Sequence, residues 1–449
     1  MQLKKFNLIV NTKACIFNKI ISVDSDKSIS IRSFLIASIS QNLSTVFNVL
    51  ESDDVISAIK CLEDLGVKIK KQKFKKYLIY GNGLGSLIAK KNIKLNFGNS
   101  GTLARLLIGI LSTTPKIEIN VAGDQSLNRR SMEKLKILMS KFGASFSPKA
   151  KSNFPLKMIS SEMPVGLNYS SGVSAQLKSA VILAALNSYG KTKIFEKEKS
   201  RDHTENMLLH NSNVINIQNR KNKKVIIING KKQLKPININ VPGDPSSAAF
   251  FVALTLLNRK SSLKIKNVGL NKTRTGFYQI LKKQKAQIKF LNIKKINNEP
   301  RGDIIVKSCK IKPIKTDKSF YVNSTDEYPI LFAMAALING TSIFKGIGEL
   351  VNKESNRIVE MQKILKQIGV KSRFSKGILK IFGKGMINAS NKRVIVPSLG
   401  DHRICMSSFV LAVLTGAQFQ INNFETVYTS APSFLKIMKL IGMHFEIQS

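Results

Sequence analysis

Cysteine and histidine are scarce in this sequence, and neither is arranged for a familiar structural role. The four cysteines are scattered over 449 residues and form neither a CxxC pair nor a disulfide framework, so we expect reduced thiols. The four histidines do not combine with them at a metal-ligand spacing. The sequence therefore predicts no metal site and no disulfide scaffold.

Long apolar runs are also missing. The longest, such as "SFVLAVLTGA" (Ser408 to Ala417), falls well short of the roughly 20 residues that a membrane-spanning helix needs. The beginning, "MQLKKFNLIVNTKACIFNK", is interrupted by Asn and Lys before a secretory apolar core can form. We therefore expect a cytoplasmic protein without a membrane span.

Cofactor-binding motifs are absent as well. No GxxxxGK[ST] phosphate loop occurs, and "GNGLG" (Gly81 to Gly85) lacks the spacing of a dinucleotide-binding fingerprint. An enzyme without a cofactor is the simplest interpretation.

Acidic residues are few: 27 Asp and Glu stand against 72 Lys and Arg, which gives a formal charge of +45. Such an excess would ordinarily suggest nucleic acid or an acidic membrane as a partner. The lysines, however, are spread evenly and form no visible basic patch, so we expect neither partner. The positive field would still attract small anionic substrates.

What the sequence does contain is one pattern that occurs six times, about every 75 residues. In each copy a Gly-, Asp- or Ser-rich turn precedes a helix-length apolar run. The copies are "DSDKSISIRSFLIASI", "GNSGTLARLLIGIL", "SSGVSAQLKSAVILAAL", "GDPSSAAFFVALTLL", "TDEYPILFAMAALI" and "GDHRICMSSFVLAVL". Strand-like runs and amphipathic helices lie between them, which predicts an α/β protein of six modules. Because a single core stops growing near 250 to 300 residues, the modules should divide three and three, near residue 243.

Each of these helices is apolar on nearly all sides but polar at its N-terminus, where free amides and the helix dipole favour anions. Several such ends facing one cleft would bind anionic ligands. The alternative is that the turns are only N-caps, and capping is the favoured interpretation for "GDPSSAAF" alone.

Arginine is much rarer than lysine, and eight of the 13 arginines lie in or beside these turns. The eight are Arg32, Arg105, Arg129, Arg130, Arg201, Arg274, Arg357 and Arg403. Arg is expected where a planar, bidentate donor must hold phosphate or carboxylate. Two acids accompany them, Asp326 in "STDEYPIL" and Glu354 in "VNKESNRI". An isolated Lys-Glu-x-x-Arg is ordinarily a solvated helix face, but here the combination indicates acid–base chemistry on an anionic substrate.

In order along the chain, these motifs resemble the 5-enolpyruvylshikimate-3-phosphate synthase family. The motifs are "DKSISIR", "GNSGTLAR", "GDQSLNRR", "SAQLKSA", "SRDHTE", "PGDPSSAAF", "DEYPIL", "NKESNRI" and "DHRICMS". "SAQ", "SRDHTE" and "DEYP" look like the bacterial class II branch. The resemblance implies transfer of the enolpyruvyl group of phosphoenolpyruvate to the 5-hydroxyl of shikimate 3-phosphate, with release of phosphate, in the shikimate pathway to aromatic amino acids.

The resemblance also implies a fold. The family has two α/β domains, each of three βαβαββ repeats around buried helices (an inside-out barrel), with the active site in the cleft between them. Its first strand returns to the second domain, so we expect one domain at 25–243 and the other at 1–24 plus 244–449. A monomer without metal or cofactor is expected.

The site residues follow from the same resemblance. Catalytic roles fall on Lys27, Asp326 and Glu354. Binding of shikimate 3-phosphate falls on Lys27, Ser28, Arg32, Ser174, Gln176, Ser200, Arg201, Asp326 and Lys353. Binding of phosphoenolpyruvate falls on Lys27, Gly101, Arg130, Gln176, Arg357 and Arg403. Asp326 would be the base for the 5-hydroxyl, and Glu354 would add and later remove a proton at C3.

A few positions depart from the family pattern. Ile31 stands where His is usual, Ser131 where Pro follows the arginine, and Ala431 interrupts the usual "SFP". No counterpart is assigned to the C-terminal lysine of the class I branch. Gly101 is the position at which some members carry Ala and resist glyphosate, so the glycine predicts sensitivity.

Three other functions compete with this interpretation. A sister enzyme transfers enolpyruvyl to UDP-N-acetylglucosamine with a loop cysteine, but "GDQSLNRRSM" has none. A basic nucleic-acid-binding protein would bind DNA or RNA in a salt-sensitive manner. An inactive homologue is the third, although every charged catalytic position is filled.

Overall fold

The computed structural model describes residues 5–220 and 223–448. These residues form two compact units, each with its own hydrophobic core. The N unit comprises Ser25–Val241 and Ile296–Glu299, as far as they are described. The C unit comprises the described parts of Met1–Asp24, Pro242–Lys295 and Pro300–Ser449.

Helices and strands alternate through both units. The C unit begins with β1 (Asn7–Val10) and β2 (Asn18–Ile21). The N unit follows with α1 (Lys27–Ser38), β3 (Gln41–Phe47), α2 (Asp53–Asp64), β4 (Lys68–Gln72), β5 (Lys76–Asn82), β6 (Lys94–Asn96), α3 (Gly101–Leu111), β7 (Glu118–Ala122), α4 (Gln125–Asn128), α5 (Glu133–Ser140), β8 (Ser145–Ser147), β9 (Leu156–Ile159), β10 (Asn168–Ser171), α6 (Ala175–Leu186), β11 (Lys191–Glu196), α7 (His203–Leu208), β12 (Ile215–Arg220), β13 (Lys223–Asn229) and β14 (Asn238–Asn240).

The C unit then continues to the end of the described chain. Its elements are α8 (Pro245–Leu257), β15 (Ser262–Gly269), α9 (Gly276–Lys283), β16 (Ile288–Ile296), β17 (Glu299–Lys307), β18 (Lys315–Thr316), α10 (Tyr321–Ser324), α11 (Tyr328–Ala336), β19 (Gly340–Lys345), α12 (Arg357–Gln367), β20 (Lys371–Ser375), β21 (Ile378–Gly383), β22 (Arg393–Val396), α13 (His402–Thr415), β23 (Gln418–Ile421), α14 (Phe434–Leu440) and β24 (Glu446–Gln448). Short 3-10 helices occupy Lys318–Phe320, Gly348–Asn352 and Phe424–Thr429.

Within residues 5–220 and 223–448, the strands form six four-stranded sheets. The N unit has the orders β14-β3-β5-β4, β6-β7-β9-β8 and β10-β11-β13-β12, and the C unit has β16-β17-β15-β2, β18-β19-β21-β20 and β22-β23-β1-β24. Each sheet contains one parallel pair. Parallel strands require a crossover connection, and α3, α6, α11 and α13 lie in four of these. The prediction of an α/β protein with six modules is confirmed.

Two modules exchange their first strands. β2 precedes α1 in the chain but pairs with β15, whereas β14 precedes α8 but pairs with β3. β1 likewise joins the C unit through β23 and β24. The chain therefore passes from one unit to the other at 24–25 and again at 241–242, and the short segment Ile296–Glu299 also belongs to the N unit.

The helix that follows each motif turn is buried along most of its length. Every residue of α8, α11 and α13 is buried, and so are ten of the twelve residues of α1. In contrast, α2 buries one face only, as its spacing of apolar residues predicts. None of the helices in the described residues is both long and apolar enough to cross a membrane.

Candidate active site

Most of the six motif turns cap the helices that follow them. In the N unit the side chains of Asp26, Ser100 and Ser174 accept hydrogen bonds from backbone amides in the first turns of α1, α3 and α6. In the C unit Asp244 and Asp401 do the same for α8 and α13. Capping thus explains the Ser and Asp residues of these turns, but it does not explain the cations beside them.

Arg32 is the most constrained of the predicted ligands in the N unit. Its buried guanidinium donates from Nε to Thr204 Oγ1 at 3.0 Å, from Nη2 to Ser179 Oγ at 3.3 Å, and from Nη1 to the Ser28 carbonyl at 3.0 Å. The Thr204 hydroxyl also donates to Ser179 Oγ at 2.9 Å. Because the contacts come from α1, α6 and α7, the fork is held in one orientation.

Lys27 begins α1, where a cation opposes the helix dipole. A carboxylate compensates: Lys27 Nζ lies 2.9 Å from Asp54 Oδ2 in the first turn of α2. Asp54 is not among the site residues predicted from the sequence. The signal that marks it is the acid pair after Ser52, which places a buried carboxylate at a helix N-terminus.

Gly101, Arg130 and Gln176 come together around Arg105. Arg105 Nη1 donates to Gln176 Oε1 at 2.9 Å and to the Gly101 carbonyl at 3.1 Å, and Gln176 Nε2 donates to Thr102 Oγ1 at 3.0 Å. A Cβ built on Gly101 would lie 2.7 Å from Arg105 Nη1 and 3.3 Å from Arg130 Nη1. A methyl group at Gly101 would therefore displace a guanidinium.

Arg130 follows the short helix α4 and is half buried. Its Nη2 donates to Asn99 Oδ1 and, at 3.2 Å, to Ser126 Oγ. Asn99 belongs to the turn before α3, so Arg130 is attached to the motif that carries Gly101.

Ser200 and Arg201 lie in the turn between β11 and α7. Ser200 is buried, and both its backbone amide and its hydroxyl donate to Glu196 Oε1, at 2.9 and 2.8 Å. Arg201 is half buried. Ser174, directly before α6, is half buried and serves as the N-cap of that helix.

In the C unit, Arg357 joins three carboxylates. Its Nε lies 2.9 Å from Asp401 Oδ2, its Nη2 lies 2.7 Å from Glu354 Oε2, and its Nη1 lies 3.7 Å from Asp326 Oδ1. Burial would lower the pKa of Arg357, but Asp401 and Glu354 raise it above its usual value. The two predicted acid–base residues, Glu354 and Asp326, thus both contact the buried Arg357. Their side chains nevertheless remain 20% and 24% exposed, respectively.

Asp401 is a second acid that the sequence analysis did not single out. It is fully buried, it accepts from Ser355 Oγ at 3.0 Å, and its Oδ1 accepts from the Arg403 backbone amide. Asp401 therefore links α12 and α13, because it contacts the Arg357 side chain and the Arg403 backbone amide. Its position in "GDHR", directly before a buried helix, is the signal that could have identified it.

Arg403 is a buried arginine whose side-chain donors are only partly satisfied by the described residues. It is only 4% exposed, and its Nε and Nη1 have no hydrogen-bond partner among the described residues. Its guanidinium lies 5.9 Å from the ring centroid of Phe250. A buried guanidinium with donors left over is suited to an anionic ligand. Lys353, also predicted to bind, is half buried at the end of the 3-10 helix Gly348–Asn352.

The positions that depart from the family pattern have local explanations. Ile31 is fully buried in the N-unit core, and Ala431 is buried in the C-unit core. Ser131 is exposed and accepts from the Glu133 amide near the start of α5. Ile31 thus contributes to packing, where an apolar side chain suffices.

The predicted residues therefore form two sets, each within one unit. The N-unit set comprises Lys27, Ser28, Arg32, Gly101, Arg130, Ser174, Gln176, Ser200 and Arg201. The C-unit set comprises Asp326, Lys353, Glu354, Arg357 and Arg403. Within residues 5–220 and 223–448, no group of three or more His, Cys, Asp or Glu side chains could hold a metal ion. The expectation of a metal-free protein stays a prediction.

Comparisons with known proteins agree over nearly the whole chain. Residues 13–438 match the family model described as EPSP synthase (3-phosphoshikimate 1-carboxyvinyltransferase). A relative named 3-phosphoshikimate 1-carboxyvinyltransferase, from Zymomonas mobilis, is 36% identical over 442 residues, which cover 98% of this chain and 97% of the relative.

Solved structures give the same result. EPSP synthase from Acinetobacter baumannii superposes with a TM-score of 0.84 at 32% identity, covering 99% of this chain and all of the other. The enolpyruvyl transferase NikO from Streptomyces tendae has a TM-score of 0.77 at 10% identity and covers 99% of both chains, a likeness of fold alone. The predicted enolpyruvyl transferase fold is confirmed.

Proposed function

Because the chain belongs to the EPSP synthase (3-phosphoshikimate 1-carboxyvinyltransferase) family, we propose that it transfers the enolpyruvyl group of phosphoenolpyruvate to the 5-hydroxyl of shikimate 3-phosphate and releases phosphate. This is a step of the shikimate pathway to aromatic amino acids. The observation that carries the activity is the family match over residues 13–438. The roles of individual residues are proposals supported by the contacts described above.

In the N unit we propose that Ser28, Arg32 and the Ser200–Arg201 turn bind shikimate 3-phosphate, together with Ser174 and Gln176. The fixed fork of Arg32 supports a role with a phosphate or a hydroxyl-rich ring. Lys27 would contact both substrates. Its ammonium is paired with Asp54, so a charged ligand would share Lys27 with that carboxylate.

Phosphoenolpyruvate is proposed to bind through Arg130, Arg357 and Arg403, with Gly101 and Gln176 beside it. The donors left over on Arg403, and Nη1 of Arg357, which lacks a hydrogen-bond partner in the described residues, support this assignment. Several cations would let two anionic substrates lie side by side, which their mutual repulsion would otherwise prevent. Lys353 would hold the shikimate hydroxyls.

The proposed chemistry uses Glu354 and Asp326. Glu354 protonates C3 of phosphoenolpyruvate and makes C2 electrophilic, while Asp326 removes the proton of the attacking 5-hydroxyl. The resulting tetrahedral intermediate loses phosphate as Glu354 takes a proton back from C3. When the substrate carboxylate engages Arg357, Glu354 shares its cation, and a carboxyl group that loses positive charge takes up a proton more readily.

Two features of this proposal concern the whole protein. We propose that the N and C units are the two functional domains, and that residue sets from both act on the same pair of substrates. The cytoplasmic location, the monomeric state and the absence of a cofactor remain predictions.

A phosphate-release assay tests the function. The purified chain should release phosphate only when shikimate 3-phosphate and phosphoenolpyruvate are both present, and UDP-N-acetylglucosamine should not replace the acceptor. Release with the nucleotide sugar would favour the sister enzyme. No release, combined with tight and salt-sensitive binding of DNA or RNA, would favour the nucleic-acid-binding function.

Glyphosate should inhibit this enzyme in competition with phosphoenolpyruvate, because Gly101 leaves room beside Arg105 and Arg130. In Gly101→Ala the methyl group would meet Arg105 Nη1 at 2.7 Å. We expect the inhibitory concentration to rise at least about tenfold, with a smaller rise in KM for phosphoenolpyruvate.

The matched control is Gly348→Ala, since a Cβ on Gly348 meets nothing within 4 Å. Inhibition of this control should equal that of the wild type. Full wild-type activity at glyphosate concentrations far above KM for phosphoenolpyruvate would contradict the prediction.

A further inference from the structure

A buried cluster of two lysines and two glutamates connects four elements of the N unit. Lys178 Nζ lies 2.7 Å from both Glu196 Oε1 and Glu205 Oε1, and all three side chains are 0% exposed. Lys224 Nζ lies 3.8 Å from Glu196 Oε2 and 3.5 Å from Glu205 Oε1. The residues come from α6, β11, α7 and β13, and their formal charges cancel.

Stability alone is a poor explanation for this cluster. Removing four charges from water opposes folding, and buried ion pairs often contribute little net stability. Lys178 also lies in the first turn of α6, where the helix dipole disfavours a cation. Burial would lower the pKa of Lys178, but Glu205 and Glu196 raise it above the usual value, so the lysine stays charged. The geometry that the cluster imposes is the better explanation.

One consequence of that geometry is a fixed turn. Glu196 Oε1 accepts from Lys178, from the Ser200 amide at 2.9 Å and from the Ser200 hydroxyl at 2.8 Å. Glu196 ends β11 and Ser200 lies in the turn before α7. A single carboxylate oxygen therefore holds the turn that carries Arg201.

A second consequence is the alignment of α6 with α7. Ser179 and Thr204, the neighbours of Lys178 and Glu205, form a hydrogen bond directly beside the ion pair. The same two hydroxyls accept from the guanidinium of Arg32. The ionic contact and the hydroxyl contact are adjacent links between the helices, so a shift in one moves the other.

We propose that Glu196 and Lys178 are positioning residues, which fix the Ser200–Arg201 turn and the α6–α7 contact under Arg32 for binding of shikimate 3-phosphate. They act through Ser200, Arg201 and Arg32 and touch no substrate themselves. The inference rests on the proposed function.

Three variants of the full chain test this inference: Glu196→Gln, Ser200→Ala and the double variant. Each single change should raise KM for shikimate 3-phosphate about tenfold, because one charge-assisted contact to the turn is lost. kcat and KM for phosphoenolpyruvate should change by less than about twofold, a split that general destabilisation would not give. The two effects on KM should be less than additive in the double variant, since both changes remove the contact between Glu196 and the Ser200 hydroxyl.

Lys264→Met is the control, because it removes a lysine from an ion pair on β15 of the C unit, 3.1 Å from Asp303. It should leave both KM values unchanged.

An unchanged KM for shikimate 3-phosphate in Glu196→Gln, or a parallel loss of kcat and of both affinities, would overturn the inference. If Glu196→Gln does not fold, Glu196→Asp decides, since it keeps all four charges and only shortens the side chain that holds Ser200, and it should raise KM for shikimate 3-phosphate in the same way. A wild type that releases no phosphate overturns the proposed function as well, whereas an active wild type with unchanged variants overturns this inference alone.

Discussion

With Glu354 replaced by Gln, phosphate release at saturating substrates is expected to fall about a thousandfold, the usual range for loss of a general acid and base. The reason is that Gln has no ionisable proton to give to C3 of phosphoenolpyruvate or to take back from it. In the structure Glu354 Oε2 accepts from Arg357 Nη2 at 2.7 Å, and the amide oxygen of Gln can keep that bond. KM for phosphoenolpyruvate should therefore stay within about threefold of the wild-type value.

Solvent deuterium gives a second readout of the same residue. If Glu354 protonates C3 and later removes a proton, wild-type enzyme in deuterium oxide should leave deuterium at C3 of the product. Glu354→Gln should lose this incorporation together with turnover. Glu360→Gln, on the same α12 and paired with Lys363 at 2.8 Å, is the control and should behave as the wild type. Near-normal turnover of Glu354→Gln with deuterium at C3 would remove Glu354 from the mechanism.

The modular fold could be predicted from the sequence because its signals are local. An N-cap followed by an apolar run is legible within one segment, and α1, α3, α6, α8, α11 and α13 all begin inside the six predicted turns. The exchange of β2 and β14 carries no such signal. Pairing of β14 with β3 joins residues almost 200 positions apart, and periodicity along the chain contains no information about it.

For the candidate site, the sequence identified charged residues but not the groups that hold them. Asp54 and Asp401 fix Lys27 and Arg357 through contacts distant in sequence. Lys178 lies in the motif "SAQLKSA", yet in a chain so rich in lysine the residue type alone does not distinguish a fully buried lysine from exposed ones. The usable signal was its neighbourhood, a lysine leading directly into a run of small and apolar helix residues.

Arginine is more informative than lysine about the candidate site, because a buried cation needs hydrogen-bond acceptors for its donors. Arg32, Arg357 and Arg403 are all at least 96% buried, and the planar fork can satisfy several acceptors there at once. Arg301 is equally buried but lies in none of the six turns, so the correlation between arginine and motif is incomplete. The scarcity of arginine relative to lysine thus indicates buried, oriented cations. It does not distinguish arginines that bind a ligand from arginines with a structural role.

Asp326→Asn is expected to lower kcat about a thousandfold, because the 5-hydroxyl would lose the base that deprotonates it during attack. Asp326 lies 3.7 Å from Arg357 Nη1 and is the most exposed of the three carboxylates around that arginine, so it can reach a substrate hydroxyl where Asp401 cannot. The residual rate of the variant should rise with pH, since hydroxide can replace the missing base. Equilibrium binding of shikimate 3-phosphate should weaken only a few-fold, about the effect of one altered hydrogen bond.

Asp64→Asn, an exposed position at the end of α2, makes the same chemical change away from both residue sets and should leave turnover unaltered. Turnover of Asp326→Asn near the wild-type rate would show that another group takes the proton. A loss of shikimate 3-phosphate binding as large as the loss of kcat would instead make Asp326 a ligand. The separation of kcat from binding is therefore the decisive measurement, since only a base acts after both substrates are in place.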